Sequence, residues 1–219
     1  MKENMTELVF ILDRSGSMSG LESDTIGGFN SLLAKQQAEA GDCRITTVLF
    51  DHQFEILHDR IDIKAVKAIT EQEYYVRGNT ALLDAIGMTI NKINSVQKST
   101  AEEHRAGKVL FVITTDGMEN ASREFDYSKV KSMISRQKKK HGWEFIFLGA
   151  NIDAVDVASR FGIVRERAQS FHNDKDGIAL NFSVVSKAAS AFRAAPMSAG
   201  LDDSWSEEIN EDYKRRGGA

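Results

Sequence analysis

Phe10-Ile11-Leu12-Asp13-Arg14-Ser15-Gly16-Ser17 passes from an apolar run, which reads as a buried strand, into a carboxylate and two hydroxyls set at every second position. Gly16 permits a turn there, and Gly20 leaves room before a helix begins. The stretch is therefore the first half of a strand-to-helix unit, and its oxygens have the spacing that a small oxygen-seeking cation needs.

Outward from this point, strand and helix periods alternate, which predicts an α/β fold: a central, mainly parallel sheet with helices on both faces. The predicted strands are Leu8 to Leu12, Arg44 to Asp51, Phe54 to Ile63, Val109 to Thr114, Glu144 to Leu148 and Ala168 to Phe171. Only Asp51-His52-Gln53 separates the second from the third. So short a link makes a hairpin and not a crossover, which sets the third strand antiparallel at an edge. Apolar stripes at helical spacing follow Ile26, Phe29 and Leu33, then Leu83, Ile86, Ile90 and Ile93, then Tyr127, Val130 and Ile134. Further stripes are Val155, Ala158 and Phe161, and Ile178, Phe182, Val185, Ala189 and Phe192. Pro196 ends the last of these helices. We divide the chain into a domain over residues 1–196 and an acidic, amphipathic tail over 197–219. In the tail, Ser204 and Glu207 have the spacing of a capping box ahead of Trp205, Ile209 and Tyr213, and Trp205 is expected to dock back on the domain.

Composition narrows the function classes. The chain has 219 residues, 42% of them hydrophobic, and a net charge of -4, which fits one globular core. It offers no basic face for nucleic acid. Lys138-Lys139-Lys140 reads as a helix end, where cations complement the dipole. Cys43 is alone, so no internal disulfide is available, and its place at a strand start marks it as a core residue. The acid-bearing N-terminus does not resemble an export signal, and no apolar run is long enough to span a bilayer. The expectation is a cytoplasmic protein.

Two later segments complete the oxygen set: Gly78-Asn79-Thr80 opens a helical run, and Thr114-Thr115-Asp116-Gly117 closes the second strongly apolar strand. If the first and fourth strands are neighbours, Asp13 and Asp116 emerge at one crevice beyond their carboxyl ends, with Thr80 as the third wall. Magnesium suits hydroxyls as direct ligands, with carboxylates acting partly through water.

These three segments together resemble the metal-ion-dependent adhesion site of the von Willebrand factor A domain family, at all five positions of its pattern. The likeness extends in element order over about residues 6–195, and is greatest to small stand-alone bacterial and phage members. It implies a three-layer, Rossmann-like fold with strand order 3-2-1-4-5-6 and an antiparallel third strand. It also implies Ser15, Ser17 and Thr80 as hydroxyl ligands, with Asp13 and Asp116 completing the sphere around Mg2+, or around Mn2+ or Ca2+. The expected function is a binding module in which the cation accepts an aspartate or glutamate from a partner protein. An enzyme is the rival: Asp13 parallels the nucleophile of haloacid-dehalogenase phosphatases, but that chemistry needs a second aspartate two residues on, where this chain has Ser15.

Around the site, His52 and Gln53 at the hairpin tip, Tyr75 and Arg77 before the Thr80 loop, and Glu119 after Asp116 are candidate partner contacts. Glu119 and Asn120 equally suit a helix cap. The tail acids Glu207, Glu208 and Glu211 are a candidate internal pseudo-ligand. His172-Asn173-Asp174-Lys175-Asp176-Gly177 reads as a helix cap and not as a calcium loop, because Ser183 stands where the closing glutamate belongs. The histidines show no zinc-like spacing.

Overall fold

Leu8, Phe10 and Leu12 point to one side of the first strand, Val9 and Ile11 to the other, and all five are fully buried. A strand apolar on both sides is satisfied only between two layers, and that demand organises the molecule. The computed structural model describes residues 2–218. Six strands, β1 (Lys2–Asp13), β2 (Asp42–Phe50), β3 (Phe54–Asp62), β4 (Ala106–Thr115), β5 (Glu144–Ala150) and β6 (Ala168–Phe171), form one sheet in the order β3-β2-β1-β4-β5-β6. All neighbours are parallel except β2 and β3.

On one face lie α1 (Glu22–Ala38) and α5 (Lys175–Ala194). Their Phe29, Leu32, Leu33, Ile178 and Val185 join Leu8, Phe10, Leu110, Val112 and Ile146 in one cluster. On the other lie α2 (Leu82–Ser99), α3 (Tyr127–His141) and α4 (Ala154–Arg160), packed on Val9, Ile11, Phe111, Ile113, Phe145 and Phe147. Phe111 stacks on Phe145 at 4.7 Å and on Trp143 at 5.4 Å between ring centres. α3 ends on Gly142 at φ 64°, so Lys138-Lys139-Lys140 occupies a last helical turn. Cys43 is buried, and burial pushes its thiol up to about 11, which keeps it from nucleophilic use.

The structure corrects several sequence expectations. β1 begins six residues before Leu8, and within that extension Thr6 and Glu7 are buried polar residues: Glu7 accepts from Arg60 Nε at 2.7 Å and from Gln97 Nε2 at 2.8 Å. Apolar runs do not reveal a strand of that kind. The Ser204 and Glu207 capping box does not form. Asp202 instead accepts from the Ser204 N–H at 2.8 Å and opens a short 3-10 turn over Asp203–Ser206, and α6 (Glu207–Arg215) continues directly from it. The stronger acceptor, a carboxylate two residues earlier, takes the serine. Trp205 and Ile209 are buried in the α1–α5 cluster, and Trp205 Nε1 donates to the Glu166 carbonyl at 2.8 Å. Among the described residues, no helix is long and apolar enough to cross a membrane.

Candidate metal centre

The sheet register delivers the site. Asp13 ends β1 opposite Phe50 of β2, and Leu12 lies opposite Thr114 of β4, so the chains leaving β1 and β4 part from adjacent positions. Two backbone bonds then tie the first loop to the second, Gly16 N to Gly78 O at 3.0 Å and Arg77 N to Arg14 O at 2.9 Å. Thr80 is fixed to the third loop from both sides of its peptide. Its N–H donates to Asn120 Oδ1 at 2.9 Å, and its carbonyl accepts from Asn120 N at 3.0 Å.

Three distant segments thereby bring their oxygens together. Thr80 Oγ1 donates to Ser15 Oγ at 3.0 Å, Ser15 Oγ and Ser17 Oγ lie 3.1 Å apart, and Ser17 Oγ donates to Asp116 Oδ1 at 2.5 Å. Asp13 sits behind this chain of oxygens. Its Oδ1 accepts from Ser15 N at 2.7 Å and its Oδ2 from Thr115 Oγ1 at 2.5 Å. All five residues named from the sequence are therefore brought together, four of them buried and Ser17 exposed.

The donor set fits a hard divalent cation. Every donor is oxygen, and only two are carboxylates; among the described residues no three His, Cys, Asp or Glu side chains gather where they could hold a metal ion, so a cation here would depend on the hydroxyls as well. The cradle is also shaped by a missing side chain. A Cβ on Gly117 would lie 3.2 Å from Ser17 Oγ and 3.3 Å from Thr80 Oγ1, inside the hydroxyl ring. Burial pushes the Asp13 carboxyl up to about 6, against hydrogen bonds from Thr115 and Ser15 that lower it, with the nearby Asp116 charge adding to the rise. Asp116 is also raised, by burial. Two desolvated acids, Asp13 behind the run of hydroxyls and Asp116 at its end, favour a positive charge nearby.

The candidate partner residues take distinct places. His52 and Gln53 are exposed at the hairpin tip, with His52 Nδ1 3.0 Å from Asp51 Oδ1 and Gln53 Oε1 accepting from Arg77 Nη2 at 2.9 Å. Gly78, at φ 69°, lies under the His52 ring, where any Cβ would collide with it. Tyr75 is 42% exposed, and its ring lies between the guanidinium carbons of Arg14 and Arg77, at 5.1 and 5.3 Å. Glu119 faces inward: it accepts from the N–H groups of Leu83, Ala121 and Ser122, which caps α2 and pins the third loop.

Several contacts around the site carry no sequence signal. Arg14 is fully buried and donates from Nε to Asp51 Oδ2 at 2.9 Å, and Arg77 Nε reaches the same oxygen at 2.8 Å. The Tyr74 hydroxyl donates to the Asp13 carbonyl at 2.6 Å. Asn173, in the stretch read as a helix cap, donates to Asp116 Oδ2 at 2.9 Å, while its neighbour Asp174 caps α5 through Gly177 N. The tail acids do not serve the site: Glu208 pairs with Lys187 at 2.6 Å on α5, and Glu207 and Glu211 are exposed on α6.

No family model matches this chain, and no curated protein matches it in sequence. Solved structures do match in fold. Proximal thread matrix protein 1 from the mussel byssus, with a zinc-occupied MIDAS motif, superposes with a TM-score of 0.56 at 13% identity over 87% of this chain and 47% of its own. The vWF domain of the type V pili tip protein Mfa5 from Porphyromonas gingivalis gives 0.56 at 14% identity, over 83% of this chain and 94% of that one. A von Willebrand factor type A structure from Catenulispora acidiphila gives 0.57 at 13% identity, over 85% and 42%. This chain thus spans about half the length of the mussel protein and nearly all of the pilus-tip domain. With the strand order and the antiparallel β3, these likenesses show that the chain has the von Willebrand factor type A fold.

Proposed function

We propose that this protein is a divalent-cation-dependent binding module that takes an aspartate or glutamate side chain from a partner protein. The observation that carries the reading is the continuous run of Thr80, Ser15, Ser17 and Asp116 oxygens, each within 3.1 Å of the next and open to solvent at Ser17. Ser15, Ser17 and Thr80 would hold the ion, with Asp13 and Asp116 balancing its charge. Magnesium is the ion we assign, and manganese and calcium satisfy the same donors. When bound, such an ion supplies an electrophilic position for an acidic oxygen. The zinc-occupied MIDAS of the mussel protein, which shares the fold, supports this reading.

The chain's own residues do the rest. Thr115 and Ser15 N each hold one oxygen of Asp13, which orients that carboxylate as a support. A single acidic contact cannot outweigh the lost freedom of association, so the exposed rim must contribute. His52, Gln53, Tyr75 and Arg77 lie on that rim, and we assign them to the partner. Glu119 we assign to holding the loop.

The test is capture of partners from host lysate with Mg2+ and again with EDTA, using Asp116→Ala as control. A protein retained only by the wild type with Mg2+ supports the reading, and retention indifferent to EDTA overturns it. Turnover of a generic aryl phosphate that disappears in Asp13→Asn would overturn it in favour of the enzyme.

A pH dependence follows from the burial of Asp13. The folded carboxyl titrates near 6 against an ordinary 3.8, so without metal its ionisation removes stability as pH rises between those values. A cation needs the ionised form, and protons compete with it below pH 6. The thermal upshift given by Mn2+ is therefore expected to be largest near pH 7.5, with apparent affinity falling about tenfold by pH 5. Differential scanning fluorimetry across that range checks it, and a pH-independent upshift contradicts it.

A further inference from the structure

Three consecutive residues after β6 face two different parts of the molecule. Asn173 turns to the metal centre and donates to Asp116 Oδ2 at 2.9 Å. The residues on either side turn to the C-terminal segment. His172 Nε2 donates to the Tyr213 carbonyl at 3.1 Å, and its ring lies 4.8 Å from the Tyr213 ring. Asp174 Oδ2 accepts from Arg216 Nη2, just past the end of α6, while Asp174 Oδ1 caps α5 through Gly177 N at 2.9 Å.

We infer that the C-terminal segment acts as a clamp on the metal centre: Tyr213 and Arg216 hold residues 172–174 so that Asn173 fixes the orientation of Asp116. The inference rests on the metal-binding reading given above. Asn173 makes the need for a clamp visible. Among the described residues its buried Oδ1 has no hydrogen-bond partner, so the side chain gains one bond to Asp116 at the cost of a bare carbonyl. That placement persists only where the flanking backbone is held, and the two flanking side chains are held by α6 and its end. The loop also has no slack: a Cβ on Gly177 would lie 2.0 Å from the His172 carbonyl oxygen. The segment in turn is anchored independently, since Arg167 Nη1 donates to Asp203 Oδ1 at 2.5 Å and Ile209 and Trp205 are buried against the α5 side of the sheet. Asn173 is thus a positioning residue. It keeps Asp116 Oδ1 turned to Ser17, and groups that orient a ligand in this way commonly change metal affinity 10- to 100-fold.

The experiment is isothermal titration of the full chain with Mn2+ alone, paired with melting temperatures. Arg216→Glu, at an exposed position, is expected to weaken Mn2+ binding about fivefold by repelling Asp174, and Asn173→Ala by about tenfold. The double variant should be no weaker than Asn173→Ala, because the two act through one contact. Lys187→Glu breaks the exposed pair with Glu208 without touching residues 172–174; it should leave Mn2+ affinity unchanged whatever it does to melting. By reciprocity, Mn2+ should slow amide exchange over residues 213–218 in the wild type and not in Asn173→Ala. Equal Mn2+ affinity in Arg216→Glu and wild type, within twofold, overturns the clamp and leaves the metal reading standing. Effects that add in the double variant also overturn it. No heat with wild type overturns the metal reading, and the clamp with it.

Discussion

Asp116→Asn is expected to weaken Mn2+ binding at least about a hundredfold, some 2.7 kcal/mol, while the metal-free protein melts no lower than wild type. The two halves of that expectation come from one geometry. Asp116 supplies one of only two carboxylate charges, and its Oδ1 ends the hydroxyl run through Ser17 at 2.5 Å. Asparagine keeps the shape and an oxygen for Ser17 but removes the charge that a cation needs, and its amide finds an acceptor in the bare Oδ1 of Asn173 once that side chain turns over. In the metal-free fold that charge is a burden, because burial has already raised the Asp116 carboxyl above its ordinary 3.8. Relieving it should leave stability level or higher, the trade of stability against function found at binding sites. Titration calorimetry and thermal melts without metal check the two halves. A variant that loses binding only because it unfolds would show a depressed metal-free melting temperature, and one that still binds within tenfold would remove Asp116 from the ligand set.

Asp51→Ala is expected to cost about 3–5 kcal/mol of stability, roughly 6–20 °C in melting temperature, although the residue belongs to a hairpin link. Its carboxylate is fully buried and accepts from two guanidinium groups, Arg14 at 2.9 Å and Arg77 at 2.8 Å, and from Gln53 N at 2.7 Å. Removing it strands Arg14, which is 0% exposed, with only the half-open Glu55 at 2.6 Å as an acidic partner among the described residues. Breaking a buried pair from one side is far more costly than replacing both members. Arg14→Met combined with Asp51→Leu should therefore recover much of the loss. Lys92→Ala, which breaks an exposed pair with Asp59 at 2.8 Å, is the contrast and should cost about 0–1 kcal/mol. Urea unfolding gives the numbers, and a loss under 1 kcal/mol for Asp51→Ala would contradict the account. Acid should act on the same group. Burial pushes the Asp51 carboxyl up, but hydrogen bonds from Arg77, Gln53 N and Arg14 outweigh it and the net shift is downward. Its contribution is present above the ordinary 3.8 and disappears as pH falls through the lower folded value.

Such pairs also mark where sequence reading stops. That Asp13, Ser15, Ser17, Thr80 and Asp116 meet at one edge of the sheet was legible because each follows a strand or opens a helix there; their ligand roles rest on the family resemblance and stand as our proposal. The bonds made by Asn173 and Tyr74 were not legible. Each residue acts through a single hydrogen bond across 57 and 61 positions of chain, and no local period encodes such a partner. Glu119 lies beside the legible set in sequence, yet it turns away to cap α2.

By itself, the order of residues determined the alternation of strand and helix, the antiparallel β3 forced by a three-residue link, and the oxygen types at the crevice. Periodicity and loop length are local properties, and local chemistry encodes them directly. The tertiary structure alone decided that Glu7 and Arg14 are buried, and that residues 172–174 join the C-terminal segment to Asp116. Those outcomes depend on which desolvated group meets which partner. That meeting exists only once the sheet has set its register.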